Sequence, residues 1–138
     1  MCVLKAFSNS RSFKGFAETT AMPVYSCLDK GEVLNPKTRS LTEENRISFD
    51  VSEKEWNDFP GQVADAIAFL TKWETDLNKL IADFEPEDVT LDFPLYSRLN
   101  DRIINQNDYL PKELIILAGR LGLCIGMSIY QEDRIADL

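Results

Sequence analysis

Carboxylates are the side chains in this chain that offer the widest choice of chemistry. Asp88 and Asp92 alternate with apolar residues in one predicted strand, and Asp50 lies in another. Paired carboxylates can act as general acid and base or hold a divalent metal ion. Four residues of strand separate Asp88 from Asp92 by about 13 Å, so these two cannot bind one ion together. Asp50 and Asp92 lie closer only if their strands are neighbours, and a solvated strand face is the simpler interpretation of all three residues.

Other catalytic and metal-binding chemistry finds little support. The 138 residues contain no histidine, which excludes Ser-His and Cys-His nucleophile pairs and most zinc and iron sites. No Gly-rich phosphate-binding loop is present. Cys2, Cys27 and Cys124 lie in apolar predicted strands, which favours buried, unreactive thiols in a reducing compartment. We therefore predict no catalytic residues, no metal site and no cofactor.

The net charge of −8 is unevenly distributed along the chain. Residues 50–92 contain 12 acidic residues and 3 lysines, a balance of −9, whereas the rest of the chain is close to neutral at +1. A surface of this sign repels nucleic acid. It favours plain solubility or association with a basic protein partner.

One long amphipathic helix is predicted for residues 60–84. Apolar residues recur there at steps of three and four, Pro60 suits the first turn and Pro86 prevents continuation. We expect Leu77 and Ile81 to lie at the centre of the buried stripe. The opposite face carries the charged residues Asp65, Lys72, Asp76, Lys79 and Asp83.

Two-residue alternation and turn residues predict the remaining elements. Strands are expected at residues 3–7, 24–28, 46–51, 88–95 and 123–130. A short helix is expected at 12–20, and a further helix between Pro111 and Gly122, with Ile115 among its inward-facing residues. Residues 32–45 are predicted to be a polar loop. Ser52 and Glu55 have the spacing of a capping box.

These elements predict an α+β fold with the order β-α-β-β-α-β-α-β. The first six elements are those of a ferredoxin-like core, to which a helix and a strand are added. One-sided strand alternation predicts a mostly antiparallel sheet with helices on a single face. Residues 1–138 are expected to form one domain, with a frayed segment at 131–138. No run of about 18 apolar residues and no secretory signal are present, so a cytoplasmic protein without a membrane partner is expected.

The most specific pattern lies near the end of the chain. It consists of residues 107–111 (NDYLP), a helix, and residues 122–130 (GLCIGMSIY). Together with the opening Cys2-Val3-Leu4 strand and the aromatic-rich long helix, this pattern resembles a bacterial family of small domains of unknown function. Some members of that family are thought to act as immunity proteins of polymorphic toxin systems. The resemblance implies a single-domain binding protein without catalytic activity.

The resemblance and the charge lead to one functional prediction. An immunity protein needs only a surface complementary to its toxin, and an acidic surface speeds association with a basic toxin domain. A metal-dependent enzyme that uses carboxylates and an accessory protein of other function are the alternatives. No nucleic-acid partner is expected. The predicted partner-binding residues are the strand carboxylates, ranked first, and then those of the long helix: Asp50, Asp88, Asp92, Asp65, Asp76 and Asp83.

Overall fold

A computed structural model describes residues 1–132 of the chain. Its strands are β1 (Cys2–Ser8), β2 (Val24–Leu28), β3 (Val33–Asn35), β4 (Ser40–Leu41), β5 (Asn45–Ser52), β6 (Asp88–Tyr96) and β7 (Cys124–Tyr130). Its helices are α1 (Lys14–Thr19), α2 (Phe59–Lys72), α3 (Glu74–Phe84) and α4 (Lys112–Leu121). Within residues 1–132, no helix is both long and apolar enough to cross a membrane. The fraying predicted for 131–138 concerns mainly 133–138, which lie outside the described residues.

Five strands form one mixed sheet in the order β2-β5-β1-β6-β7. The central strand, β1, pairs antiparallel with β5 and with β6, and β2 pairs antiparallel with β5. β7 lies parallel to β6, and the connection between them contains α4. The predicted α+β class with a mostly antiparallel sheet is therefore confirmed.

Alternation along the strands places the apolar core on one face of the sheet. Leu4 pairs with Phe49 on one side and with Leu91 on the other, and all three are fully buried. Phe16 of α1 contacts Phe49 edge-on at 6.2 Å, and Phe59 of α2 contacts another β6 residue, Phe93, at 5.4 Å. Full burial of each such side chain contributes about 1.5–3 kcal/mol. The same buried cluster includes residues of α3 and α4: Leu77, Leu80, Leu114, Leu117 and Leu121.

The single long helix predicted for residues 60–84 is wrong, because α2 and α3 meet at Trp73. Trp73 has φ −106° and ψ 16°, outside helical values. The hydroxyl of Thr71 donates to the carbonyl of Ile67 at 2.7 Å, and this type of back-bonding bends helices. Glu74 then begins α3, where a carboxylate is favoured by the helix dipole, and Arg120 of α4 binds it at 2.6 and 3.0 Å.

The buried stripe of these helices is centred differently from the prediction. Leu77 is fully buried as expected, whereas Ile81 is only half-buried. Leu80, the residue before it, is fully buried. The break at Trp73 interrupts the helical repeat. A periodicity that is continued from α2 therefore predicts the wrong buried face for α3.

Residues 32–45 contain a small hairpin instead of the predicted loop. β3 and β4 pair antiparallel, with Val33 opposite Leu41. The side-chain oxygen of Asn35 accepts hydrogen bonds from the amides of Lys37 and Thr38 at 2.9 and 3.4 Å. Polar side chains that accept hydrogen bonds from nearby amides favour turns. The polar composition of residues 32–45 therefore indicates the turn but not the two short strands on either side of it. The observed element order therefore includes this hairpin and the divided helix.

The predicted capping box at Ser52 and Glu55 is also wrong. Ser52 is the last residue of β5, and the helix begins later, at Phe59. Asp58 caps α2 instead, since its carboxylate accepts a hydrogen bond from the amide of Gly61 at 2.9 Å. A Cβ atom at Gly61 would collide with that carboxylate, so a larger residue there would displace the capping side chain.

Two prolines, one glycine and one isoleucine can also be compared with what the sequence indicates. α4 follows Pro111 and ends at Gly122 (φ 72°), as predicted. Ile115 is 53% exposed, so its predicted inward orientation is wrong. Pro94 indicates a strand end or sheet edge, yet β6 lies inside the sheet; the β1–β6 pairing ends at Asp92, so no strand on that side needs an amide from Pro94.

Candidate functional site

The sheet face opposite the core presents charges of both signs. The strand register places Lys5, Arg46 and Asp50 on this face together with Asp88 and Asp92. The guanidinium of Arg46 lies over the ring of Phe7, 5.1 Å from its centroid. The face is therefore less acidic than the sequence segment 50–92 indicates.

Two of the predicted strand carboxylates are bound by neighbouring side chains. One oxygen of Asp92 lies 3.7 Å from the amine of Lys5, and the other accepts a hydrogen bond from the Ser128 hydroxyl at 2.9 Å. Asp88 is exposed and accepts from the hydroxyl of Thr90 at 2.9 Å. The charge of Asp92 is thus balanced within the chain, which makes it a weaker binding residue than its sequence position implies.

Asp50 and Asp92 lie on opposite sides of β1. Val3 pairs with Asp50 in one direction and with Asp92 in the other. Two strand spacings separate the carboxylate-bearing residues by about 10 Å, which is too far for joint binding of one ion. Among residues 1–132, no group of three or more Asp, Glu, Cys or His side chains is placed to hold a metal ion.

The structure brings Asp50 together with Asp65, a helix residue. Both line an open pocket of about 470 Å³, which we call the acidic pocket. β2 pairs with β5 only as far as Phe49, so the last residues of β5 extend beyond their neighbour and border this pocket. The hydroxyl of Ser52 donates to Asp65 at 2.6 Å and fixes the helix carboxylate beside the strand. The complete lining is Asp50, Val51, Ser52, Glu53, Lys54 and Asp65.

Asp50 has an unusual environment within the acidic pocket. Its Oδ1 atom is buried and has no hydrogen-bond partner among residues 1–132. Its backbone amide donates to the carbonyl of Pro23 at 3.0 Å, which fixes the residue at the start of β2. Buried polar atoms are nearly always hydrogen-bonded, and an unsatisfied carboxylate oxygen is costly. A donor placed beside this oxygen would remove that cost.

An aromatic stack holds the segment that forms the rim of the pocket. Trp56 stacks on Tyr130 at 4.7 Å and contacts Tyr96 at 5.4 Å. The amide of Tyr96 donates to the carbonyl of Trp56 at 3.2 Å. These contacts anchor the connection between β5 and α2, which includes Glu53 and Lys54. From the sequence, Trp56 is interpreted only as a core or capping residue. Its partners, Tyr96 and Tyr130, could have been found from their positions at the ends of β6 and β7.

The remaining predicted binding residues lie outside the acidic pocket. Asp76 and Asp83 are on α3, where Asp76 is half-buried and Asp83 is exposed. Neither contributes to the lining of the pocket. They add negative charge to a separate surface, which suits a role in long-range attraction.

The thiols differ more than their apolar sequence context indicates. Burial, reinforced by the nearby charge of Asp92, raises the pKa of Cys2 to about 12. Burial also raises the pKa of Cys27 above its ordinary value. A raised pKa disfavours the thiolate and agrees with unreactive thiols at these two positions. Cys124 is exposed, so its predicted burial is wrong.

Neither a family model, nor a curated protein, nor a solved structure matches this chain.

Proposed function

We propose that this protein is a non-catalytic immunity protein that neutralises a basic bacterial toxin domain by direct contact. The observation that carries the proposal is that Asp50 and Asp65 line one pocket, and that Oδ1 of Asp50 is buried without a hydrogen-bond partner among residues 1–132. Two carboxylates from different elements face one cavity that is large enough for a side chain. This arrangement suits a lysine or arginine of a partner protein.

The proposed contact is a charge-assisted hydrogen bond. An arginine guanidinium offers several N–H donors in one plane, which matches the separate carboxylates of Asp50 and Asp65. Glu53 adds a third negative charge to the lining, and the nearby Lys54 reduces it. The partner cation would satisfy the oxygen of Asp50 that residues 1–132 leave unpaired.

Internal pairing of other acidic residues makes the acidic pocket stand out. In residues 1–132, Glu74 is paired with Arg120, Glu85 with Arg11 at 3.8 Å, and Asp92 with Lys5. Three of the nine excess negative charges of residues 50–92 are therefore compensated by basic residues from outside that segment. Asp50 retains a free acceptor, which supports the pocket as the contact point and assigns the exposed carboxylates to attraction at a distance.

The sheet order also supports a finer description of the scaffold. β2, β5, β1 and β6 are adjacent in that order, with antiparallel neighbours. We interpret these strands as a ferredoxin-like core to which α4 and β7 are added. In this scaffold the end of β5 and the connection to α2 form the binding surface.

Pull-down and protection experiments test the proposed function. The protein encoded by the adjacent gene is used as bait, and the same gene is expressed in cells with and without this chain. We expect direct binding in the pull-down, protection of the cells, and an association rate that falls as salt screens charges over about 10 Å at 0.1 M. Absence of both binding and protection would contradict the immunity function.

Variants separate the pocket from the function as a whole. Asp50→Asn and Asp65→Asn remove one charge each from the acidic pocket and preserve side-chain size. Asp83→Asn removes the same charge from α3 and is the matched control. Binding that is weakened by the control as much as by the pocket variants would place the contact elsewhere.

A further inference from the structure

The two edges of the five-stranded sheet differ in their protection against pairing. At one edge, β2 is preceded by Pro23, and its register with β5 shifts between Val24 and Ser26. A proline and an irregular register are devices that prevent an edge strand from pairing with another chain.

The other edge, β7, has none of these devices. It contains seven residues without a charge or a proline, and its register with β6 is regular from Cys124 to Tyr130. No strand of residues 1–132 pairs with its outer side. An uncharged, regular edge of this length is a template for a further strand.

Apolar side chains beside β7 extend this exposed surface. Met127 is 45% and Ile129 62% exposed, although both point toward the face that carries the core. They border a cavity with Leu99 and Ile104, which are also exposed. We call these four residues the edge patch. Contiguous exposed apolar residues next to a strand edge that no strand of residues 1–132 covers indicate a protein contact.

Charge indicates which partner fits this surface. Residues 97–130, which include β7 and the edge patch, contain three acidic and four basic residues, whereas the whole chain has a net charge of −8. A basic partner gains no attraction at this surface. A second copy of the chain, which would be repelled at the acidic surfaces, meets no like charge at β7.

We propose that β7 pairs antiparallel with β7 of a second copy, so that two five-stranded sheets become continuous. A two-fold axis through the middle of the strand places Met127 opposite itself and Ile125 opposite Ile129. The edge patches of both copies then cover each other. β1 and β6 separate β7 from β5 in the sheet, so the acidic pocket stays accessible in the dimer.

Lysine substitution at the two edges tests this pairing. Ile129→Lys places a charged side chain opposite the apolar Ile125 of the second copy, where the dimer would bury it without a partner, and burial of an unpaired charge is destabilising. Tyr25→Lys is the matched control, since Tyr25 is also 62% exposed but lies on β2. In sedimentation over a concentration series, we expect the mass of a dimer for the wild type and the control. For Ile129→Lys we expect the dimer dissociation constant to rise about tenfold or more.

Hydrogen exchange locates the contact independently of the variants. Amides of β7 should exchange more slowly as protein concentration rises, and amides of β2 should not change. A monomer at all concentrations, or a dimer that Ile129→Lys does not weaken, would overturn the proposal. The Asp50→Asn variant should dimerise like the wild type, so failure of the toxin-binding proposal leaves this result unaffected.

Discussion

The hydroxyl of Ser52 donates a 2.6 Å hydrogen bond to Oδ2 of Asp65 and joins the end of β5 to the middle of α2. This contact fixes a helix carboxylate that lines the same pocket as Asp50, which lies two residues before Ser52 in the strand. The acidic pocket is therefore lined by two elements that are separate in the sequence and that this hydrogen bond joins.

Removal of this hydroxyl should destabilise the protein. Ser52 is 4% exposed, and a hydrogen bond to a charged group contributes about 1.5–3 kcal/mol. We expect Ser52→Ala to lower the free energy of unfolding by about that amount in urea titrations. Ser48→Ala is the control, because Ser48 is similarly buried in β5 and lies on the opposite face. Equal losses for the two variants would show that the Asp65 contact adds nothing to stability.

The observed cap of α2 makes a second prediction. Asp58→Ala should reduce stability by about 0.5–2 kcal/mol, because the amide of Gly61 loses its acceptor. Glu55→Ala should change stability by less than about 0.5 kcal/mol, as expected for an exposed residue. Thermal and urea unfolding measure both effects. A larger loss of stability for Glu55→Ala than for Asp58→Ala would support the capping box predicted at Ser52 and Glu55.

The division of the long helix makes a third prediction. Leu77→Ala removes a fully buried side chain and should cost about 2–5 kcal/mol. Ile81→Ala should cost clearly less, because Ile81 is only half-buried on α3. Unfolding of both variants in urea gives the comparison. Equal costs would favour the helix phase that a continuous 60–84 helix implies.

Titration of Cys2 should lower stability at high pH. Burial raises the pKa of this thiol from its ordinary value of 9.0 to about 12 in the folded protein. Between these values the unfolded chain has lost a proton that the folded protein retains. Stability therefore decreases by up to about 1.4 kcal/mol per pH unit as the pH rises above 9.

The Cys2→Ala variant isolates this effect. It lacks the thiol, so its free energy of unfolding should decline less steeply than that of the wild type between pH 9 and pH 11. Urea unfolding at several pH values measures both slopes. Parallel declines would show that the Cys2 thiol titrates alike in the folded and unfolded states.

Local patterns in the sequence predict most of the sheet. Alternation predicts β5 and β6 within a few residues, and Gly122 correctly marks the end of α4. These features depend on short-range geometry. The hairpin of β3 and β4 and the break at Trp73 depend on individual side-chain hydrogen bonds, which hydrophobic periodicity does not report.

The candidate site is less predictable from the sequence than the fold. Charge counting identifies Asp50 and Asp65 but treats them as members of separate surfaces. Their shared pocket depends on the point at which β2 begins and on the Ser52 hydrogen bond. Likewise, the neutralisation of Asp92 by Lys5 depends on strand register, which alternation alone does not specify.

The dissociation rate of the complex with the adjacent-gene protein tests the central claim most directly. Loss of a buried charge contact increases dissociation, whereas loss of a peripheral charge mainly slows association. We predict that Asp50→Asn raises the dissociation rate about tenfold or more, equivalent to about 1.4 kcal/mol, while Asp83→Asn leaves it within about twofold of the wild type. An unchanged dissociation rate for Asp50→Asn would contradict the acidic pocket as the binding site.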